Sequence, residues 1–318
     1  MKKLLLIAAI VGVALAGCSK DKDVLPKGNG TESSPYLIHN AAQLKALANE
    51  VNAGNDKSGV YYKLAANINL SAYSTGEGWT PIGSYPNAFS GNFDGGGYIV
   101  SNLKITINAS NKGLFGYITD GVVKNLGVKG SVNTAGTHDA YSTGGIAGVI
   151  TGTTKIEHCY WMGDVSGDSF VGGIVGNVGG NFSGGQVAHC YATGVISGKS
   201  QVGGIAGSND GSVTWCVALN EKILRTGTYP YYLFGRVVGV TGTTSTLGNN
   251  VAWNNMELPD GITATSDLNG THGMSVAYGL ITQASSYELY CPTPPWTRAN
   301  GKLPGLGGKT EDMPVYIY

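Results

Sequence analysis

Three cysteines recur at one position of a repeated pattern and are the first candidates for chemistry. Cys159 and Cys190 each follow a histidine and precede a tyrosine, and Cys216 takes the same place one repeat later. Thiols at this spacing suit a disulfide framework or a metal site. However, side chains that point the same way along a column do not pair, and three thiols leave one over. The pattern therefore favours a buried column of small side chains. Cys291 has no predicted partner.

Two histidines, His158 and His189, directly precede the first two of these cysteines. Stacked imidazoles suit a shared metal ion, but zinc usually takes three or four protein ligands. The equivalent positions of neighbouring repeats hold Asn125 and Trp215 instead. We therefore interpret both histidines as corner residues, and we predict no metal site and no cofactor.

Tyr160 and Tyr191 follow the same cysteines. Strand alternation turns these tyrosines outward if the cysteines face inward. Outward aromatic rings stack on sugars or anchor a protein partner, although they also form ordinary surface pairs of a sheet. The two tyrosines are therefore the candidate ligand-binding residues of the sequence.

The sequence lacks the motifs of common catalytic sites. It contains neither G-x-S-x-G nor H-E-x-x-H, and Gly198-Lys199-Ser200 lacks the glycine that begins a phosphate-binding loop. Glycosidase chemistry needs two facing carboxylates, whereas the acids here form no column. It stays open whether acids from the 75–95 or 137–141 loops come together in one cleft. We predict that the chain is not an enzyme. The scattered acids are Asp94, Asp139, Asp164, Asp168 and Asp210.

Composition indicates a turn-rich, all-β protein. Glycine accounts for 51 of the 318 residues, roughly twice the usual share. Lysine plus arginine and aspartate plus glutamate both total 20, so no basic field is present to hold nucleic acid. A hydrophobic fraction of 42% is too high for a disordered polar chain.

A glycine-bounded tetrapeptide recurs at intervals of 28 to 32 residues, and this repeat must position the side chains described above. A unit of this size cannot bury its own apolar face, whereas stacked units can. We therefore predict a solenoid of about eight to ten coils, with strands about 4.8 Å apart. The copies are Gly113–Gly116, Gly145–Gly148, Gly173–Gly176, Gly204–Gly207 and the degenerate Arg236–Gly239.

Stacking predicts that equivalent side chains form columns along the solenoid axis. The first predicted column is Leu114, Ile146, Ile174, Ile205 and Val237. The second is Leu126, Cys159, Cys190, Cys216 and Val251.

The recurring G-[LI]-x-G, followed by a β-branched residue, Asn or His, and then Cys-Tyr, resembles the GLUG repeat of secreted and surface bacterial proteins. The resemblance covers residues 113–255. It implies a right-handed parallel β-helix and an adhesion-like role. It supplies no catalytic residues.

Both ends of such a solenoid need caps, because terminal coils expose unpaired strand edges. Residues 41–52 predict an amphipathic helix, with Asn40 as its N-cap and Gln43 completing a capping box. The predicted domains are a cap helix with the first coils over 35–112, repeat coils over 113–255 and an irregular C-terminal cap over 256–318.

The first residues are typical of a bacterial lipoprotein. Two lysines precede an apolar stretch that is too short to span a bilayer stably, and Leu15-Ala16-Gly17-Cys18 resembles a lipobox. We predict a signal peptide over 1–17, lipidation of Cys18, and a lipid anchor with a flexible tether over 18–34. Acidic residues after Cys18 resemble the surface-export signal of Bacteroidetes lipoproteins. We therefore expect a bacterial outer-membrane lipoprotein that is exposed at the cell surface.

Together these patterns favour a non-enzymatic, adhesin-like lipoprotein of the cell envelope. Its expected partners are the membrane, through the lipid anchor, and a host protein, a glycan or another cell-surface component; nucleic acid is not expected. Two alternatives stay open. One is a polysaccharide-degrading lyase or glycosidase on the same fold, and the other is a structural or accessory component of an envelope complex.

Overall fold

The protein is a parallel β-solenoid of about six turns. The structure is a computed structural model that describes residues 27–136, 141–180, 184–228 and 233–317. The predicted signal peptide and Cys18 therefore lie outside the described residues. The all-β class with a parallel β-helix is confirmed, and so are the short N-terminal helix and the irregular C-terminal part.

The elements of the described chain are mostly short strands. The helices are α1 (Ala41–Asn52) and α2 (Tyr278–Ile281), and single 3-10 turns lie at Ser71–Tyr73 and Ala284–Tyr287. The strands are β1 (Tyr36–Ile38), β2 (Tyr61–Leu64), β3 (Ile68–Asn69), β4 (Asn92–Asp94), β5 (Ile99–Thr106), β6 (Phe115–Thr119), β7 (Val122–Asn133), β8 (Tyr141–Gly144), β9 (Ala147–Ser166), β10 (Ser169–Gly172), β11 (Val175–Val178), β12 (Gly184–Ala188), β13 (Tyr191–Gly198), β14 (Ser200–Gly203), β15 (Ala206–Asn209), β16 (Ser212–Thr214), β17 (Val217–Arg225), β18 (Phe234–Gly235), β19 (Val238–Thr241), β20 (Thr246–Gly248), β21 (Val251–Trp253), β22 (Met274–Val276), β23 (Trp296–Thr297), β24 (Lys302–Leu303), β25 (Gly305–Leu306) and β26 (Glu311–Asp312).

Each full coil passes through four faces of parallel strands. Face A stacks β1, β2, β4, the start of β7, the middle of β9, β12, β16 and β20. Face B stacks β3, β5, the rest of β7, the end of β9, β13, β17, β21 and β22. Face C stacks β6, the start of β9, β11, β15 and β19. Face D stacks β8, β10, β14 and β18.

The number of coils is smaller than the eight to ten predicted. In the described residues, face A holds eight rungs, but face C holds only five. The first coils replace the face C strands with turns, and the chain leaves the solenoid after β22. The terminal coils are therefore incomplete, and about six full turns remain.

The first predicted column is confirmed. The amide of Ile146 donates to the carbonyl of Ile174 at 3.0 Å, and the amide of Ile174 donates to that of Ile205 at 2.9 Å. Like side chains therefore stack from coil to coil inside the solenoid. All five members are fully buried: Leu114, Ile146, Ile174, Ile205 and Val237.

The repeated motif glycines are required by this stacking. A Cβ added to Gly173 would lie 2.3 Å from the carbonyl oxygen of Gly204, and one added to Gly204 would lie 2.3 Å from that of Arg236. No side chain fits between coils that approach this closely. In the degenerate fifth copy, Arg236 replaces the first glycine of the motif.

The second predicted column is correct except for its last member. Leu126 pairs with Cys159, and the thiols of Cys190 and Cys216 continue the stack. Val251 is wrong for the fifth place, because it pairs with Val217, the residue after Cys216. Asn250 holds that place: its Oδ1 accepts from the Cys216 amide at 2.9 Å, and its Nδ2 donates to the Val213 carbonyl at 2.9 Å.

The four cysteines of the described residues are buried and free, as the column interpretation predicts for Cys159, Cys190 and Cys216. Burial raises the pKa of the Cys190, Cys216 and Cys291 thiols. Since the thiolate is the reactive form, we expect none of these thiols, nor that of Cys159, to react with a maleimide dye in the native protein. All four should react in denaturant. Peptide mapping after labelling measures this, and rapid native labelling at any of the three column cysteines would contradict the buried column.

The two histidines occupy corners between faces A and B, as predicted. Their rings stack at 5.3 Å with 14° between planes. The corner requires a positive φ, which asparagine and histidine tolerate better than β-branched residues do. The corner column has φ between 53° and 56° at every member: Asn125, His158, His189, Trp215 and Asn249.

Two largely buried histidines, His158 at this corner and His272 just before β22, are expected to make stability depend on pH. Burial lowers the pKa of His158, and the neighbouring His189 and Lys124 lower it further, while Glu157 opposes them; burial and Arg236 lower the pKa of His272. As the pH falls, the unfolded chain therefore binds these protons near pH 6.5, whereas the folded chain binds them only at a lower pH. We expect the free energy of unfolding to fall as the pH falls from 7 through about 6.5.

Urea unfolding at several pH values measures this dependence. The matched variant is His158→Asn, which keeps a corner residue suited to positive φ and removes the titrating group. Its stability should change less with pH than that of the wild type over the same range. An equal slope in both proteins would show that His158 does not contribute.

The N-terminal cap forms as the sequence predicts. Asn40 Oδ1 accepts from the Gln43 amide at 3.0 Å, and Gln43 Oε1 accepts from the His39 amide at 2.7 Å. This pair resembles a capping box, except that Gln43 accepts from the amide of His39, the residue before the N-cap, and not from that of Asn40. The apolar face of α1 is buried over the first coil through Leu44, Leu47, Ala48 and Val51. The chain before β1 is also in contact with the first coil, because Lys27 forms an antiparallel β-bridge with Leu37.

Residues 256–317, called the C-terminal segment below, add the last rung of face B with β22 and then pack along the outer surface of that face. The segment contains β22, α2 and two small antiparallel pairs, β23 with β25 and β24 with β26. In the described ranges, no helix is both long and apolar enough to cross a bilayer.

Candidate functional site

Tyr160 and Tyr191 point outward from face B, as predicted, but they do not reach solvent. Their rings stack at 5.1 Å with 2° between planes. The ring of Trp296 lies over both, 6.1 Å from Tyr160 and 5.7 Å from Tyr191. Only 1% of Tyr160 and none of Tyr191 is exposed. The expectation of an open aromatic surface is therefore wrong, because the C-terminal segment covers it.

Polar contacts fix this cover in place. The Glu311 carboxylate accepts from the Tyr160 hydroxyl and lies 2.5 Å from Lys129 Nζ, and the Tyr191 hydroxyl donates to the Pro304 carbonyl at 2.8 Å. Burial raises the pKa of both tyrosines, so their hydroxyls stay protonated and donate. The sequence marks the C-terminal aromatics as a cap but gives no sign of which face they cover.

A groove with a volume of about 830 Å³ lies on the outer surface of face A. We call it the face A groove. One wall is the turn that precedes β1, with Glu32, Ser33 and Pro35, and Tyr98 borders the floor. The floor is built from four consecutive rungs, β2, β4, β7 and β9.

Parallel register brings the floor side chains into two rows. Residues on either side of an inward-facing strand residue point outward, and Phe93 and Val123 are such buried residues. In-register pairing then aligns equivalent outward residues on successive rungs. The first row is Lys63, Asp94, Lys124 and Glu157. The second row is Tyr61, Asn92, Val122 and Lys155.

Charges in the groove alternate along the first row. Lys63 Nζ lies 3.8 Å from the Asp94 carboxylate. Asp94 Oδ1 also accepts from the Gly96 amide at 2.8 Å and from Asn125 Nδ2 at 3.0 Å. Within the described residues, no ion pair forms at Lys124, Lys155 or Glu157.

The other acids singled out in the sequence are not brought to the groove. Asp164 accepts from the Val195 amide at 2.8 Å, and Asp168 is buried 2.9 Å from Lys199 Nζ, the lysine of the rejected phosphate-loop fragment. Asp210 accepts from the Ser208 hydroxyl at 3.3 Å. These acids stabilise turns between faces. Asp139 lies outside the described residues.

The face A groove itself is not found by searching for motifs. Lys124 and Glu157 both stand two residues before the second column, at Leu126 and Cys159, so their alignment was readable from the repeat. Lys63 and Asp94 belong to coils without the glycine motif, and the wall comes from a turn outside the repeats. Among the described residues, no group of three or more His, Cys, Asp or Glu side chains could hold a metal ion.

Comparison with known proteins supports the fold and gives two partial sequence matches. Halomucin of Haloquadratum walsbyi is 33% identical over 160 residues, which are 48% of this chain and 2% of halomucin. A protein of Evansella cellulosilytica described as a "putative Gly-rich membrane protein" is 38% identical over 114 residues, 35% of this chain and 13% of that protein. This chain therefore spans a small part of both relatives.

A solved structure shares the architecture. The crystal structure of a "putative immunoglobulin A1 protease" from Bacteroides ovatus aligns with a TM-score of 0.60 at 20% identity, covering 89% of this chain and 95% of that one. At this identity the likeness concerns the fold alone. No protein-family model matches the chain, and this result includes the GLUG repeat.

Proposed function

We propose that this chain is a non-enzymatic, adhesin-like binding protein of the bacterial cell envelope, which holds a cell-surface partner in the face A groove. The observation that carries this proposal is the groove itself, with its polar rows and flanking tyrosines on four consecutive rungs. A relative described as a membrane protein and another described as a halomucin agree with an envelope location.

The mechanism is binding by a preorganised surface. Inner rungs such as β4 and β7 are hydrogen-bonded on both sides, and the buried columns below hold the strands in register. The side chains of the rows therefore keep their spacing without a ligand. Binding then orders little of the protein, which lowers the entropic cost of association.

The lipid anchor at Cys18 belongs to the same proposal. Metabolic labelling with a radioactive or clickable fatty acid tests it, since Cys18→Ser should abolish labelling. Protease treatment of intact cells tests surface exposure: the wild-type protein should be cleaved without lysis of the cells. Protection in intact cells, with cleavage after permeabilisation, would contradict a surface location.

A polysaccharide-degrading enzyme is the second candidate, and one observation favours it. Asp94 and Glu157 lie on the same row, two rungs apart, which places their Cα atoms about 10 Å from each other. Paired acids of glycosidases act across such a space. However, Lys124 stands between them, and Asp94 Oδ1 already accepts two hydrogen bonds.

Product analysis separates these two candidates. Purified protein incubated with a panel of polysaccharides should release neither reducing ends nor unsaturated products. If the wild type releases such products and Glu157→Gln does not, the result would favour the enzyme instead. Retrieval of a stable envelope assembly from cells, without any free ligand, would favour the accessory-component alternative.

A further inference from the structure

We infer that the ligand of the face A groove is an uncharged glycan chain that lies along the solenoid axis, across the rungs rather than along a strand. This inference rests on the proposed function and names its ligand class. It follows from the direction of the groove, its charge balance, its aromatic side chains and the pairing of its floor.

The direction follows from the floor. Tyr61 belongs to β2 and Lys155 to β9, and the two rungs between them complete a row parallel to the solenoid axis. Four rungs at about 4.8 Å extend for about 14 Å. An extended oligosaccharide laid on this row meets one outward side chain from each rung at a regular spacing, so the spacing of the rungs suits a polymer with its own repeat.

The charge balance excludes strongly charged polymers. The groove is lined by three basic residues, Lys63, Lys124 and Lys155, and by three acidic residues, Glu32, Asp94 and Glu157. Opposite charges alternate along the first row, so their fields largely cancel beyond a few ångströms. A sulfated glycan or a nucleic acid needs a field of one sign, which this groove does not present.

The groove side chains that form no ion pair are suited to hydrogen bonds with sugar hydroxyls. Lys124 and Lys155 offer hydrogen-bond donors and Glu157 offers acceptors, and none of these three forms an ion pair within the described part of the chain. Sugar hydroxyls both donate and accept, so one polymer satisfies both kinds of group. Tyr61 lies half-buried in the floor, and Tyr98 stands at its border with 36% exposed. Each ring presents an apolar face to the C–H groups of a sugar.

An extended peptide fits this floor poorly. Peptides that add to sheets pair with a free strand edge, but β4 is paired with β2 and β7 on its two sides, and β7 with β4 and β9. The backbone groups of the floor are therefore already used. Recognition has to come from side chains alone, and these alternate in charge.

The test is a binding assay on immobilised glycans with the full mature protein. One arm carries neutral oligosaccharides of β-glucan, mannan, xylan and chitin, and a second carries heparan sulfate and polysialic acid. A third arm carries extracellular-matrix proteins. We expect binding in the neutral arm, with an affinity that changes by less than about twofold between low and high salt.

Groove variants assign the binding to this surface. Tyr61→Ala and Tyr98→Ala should each weaken neutral-glycan binding by about tenfold. Tyr141→Ala is the matched control, since Tyr141 is 45% exposed on face D and its loss should leave binding unchanged. Thermal unfolding of all three variants shows whether the fold is kept.

The outcomes distinguish the inference from the proposed function. Salt-sensitive binding in the second arm of charged glycans, or binding only to matrix proteins, would overturn the uncharged glycan and leave the binding function intact. Neutral-glycan binding that Tyr141→Ala weakens as much as Tyr61→Ala would overturn the assignment to the groove. Absence of binding in every arm would overturn both.

Discussion

Trp296→Ala is expected to lower the free energy of unfolding by about 3–5 kcal/mol and to release the C-terminal segment from face B. The indole is 1% exposed and packs over the stacked rings of Tyr160 and Tyr191. Its removal leaves a cavity between the segment and the solenoid, directly over the stacked tyrosines. Urea unfolding measures the loss.

Limited proteolysis shows which part of the protein becomes less stable in Trp296→Ala. Trp296→Ala should be cut early between residues 256 and 317, while the coils stay protected. Leu289→Ala is the control, because Leu289 is 64% exposed in the same segment and its truncation should cost less than about 0.5 kcal/mol. If both variants unfold alike, the segment is not held by the aromatic stack.

Arg236→Met is expected to destabilise the protein by at least about 3 kcal/mol, because each buried acceptor left without a donor costs about 1–3 kcal/mol. Arg236 is 1% exposed and forms no salt bridge among the described residues. Its guanidinium instead donates to backbone carbonyls and one hydroxyl between the last coils and the C-terminal segment. These acceptors are the carbonyls of Trp253, Thr265, His272 and Gly273 and the Ser275 hydroxyl.

Arg225→Met is the matched control for this prediction. Arg225 donates to the Asp260 carbonyl at 2.6 Å, but it is only partly buried, so its loss should cost less than about 1 kcal/mol. Chemical denaturation of the two variants compares them directly. Equal stabilities would show that Arg236 does not anchor the segment.

Arg236 also shows how a departure from the repeat marks a structural boundary. In the sequence it is a defect in the fifth copy of the glycine motif. In the structure the preceding motif glycines are needed where one coil lies against the next, and Arg236 stands where the C-terminal segment begins to replace the coils. The sequence predicts the end of the repeat but not the network that replaces it.

The repeated part of the fold was predictable because its constraints are local or periodic. The helix over 41–52 follows from its cap and its apolar spacing, and the isoleucine column follows from equal positions in successive units. The last place of the cysteine column was misassigned by one residue to Val251. The loop between the glycine motif and the column varies in length from repeat to repeat, and Asn250 is polar where the other members are apolar, so neither counting from the motif nor the apolar pattern gives the register there.

The candidate site was less predictable for a different reason. The outward direction of Tyr160 and Tyr191 follows from alternation, but their burial depends on Trp296, more than one hundred residues away and outside any repeat. The face A groove combines two motif-free coils with a turn before β1. Contacts between repeating and non-repeating parts carry no period, so a single sequence does not reveal them.

Lysine footprinting tests most directly whether the face A groove is the binding surface. Acetylation of surface lysines is measured by mass spectrometry, with and without the neutral oligosaccharide that binds best. We predict that the ligand slows acetylation of Lys63, Lys124 and Lys155, while Lys104 on face B and Lys302 in the C-terminal segment react as before. Protection of Lys302 or Lys104 with unchanged groove lysines would contradict the account.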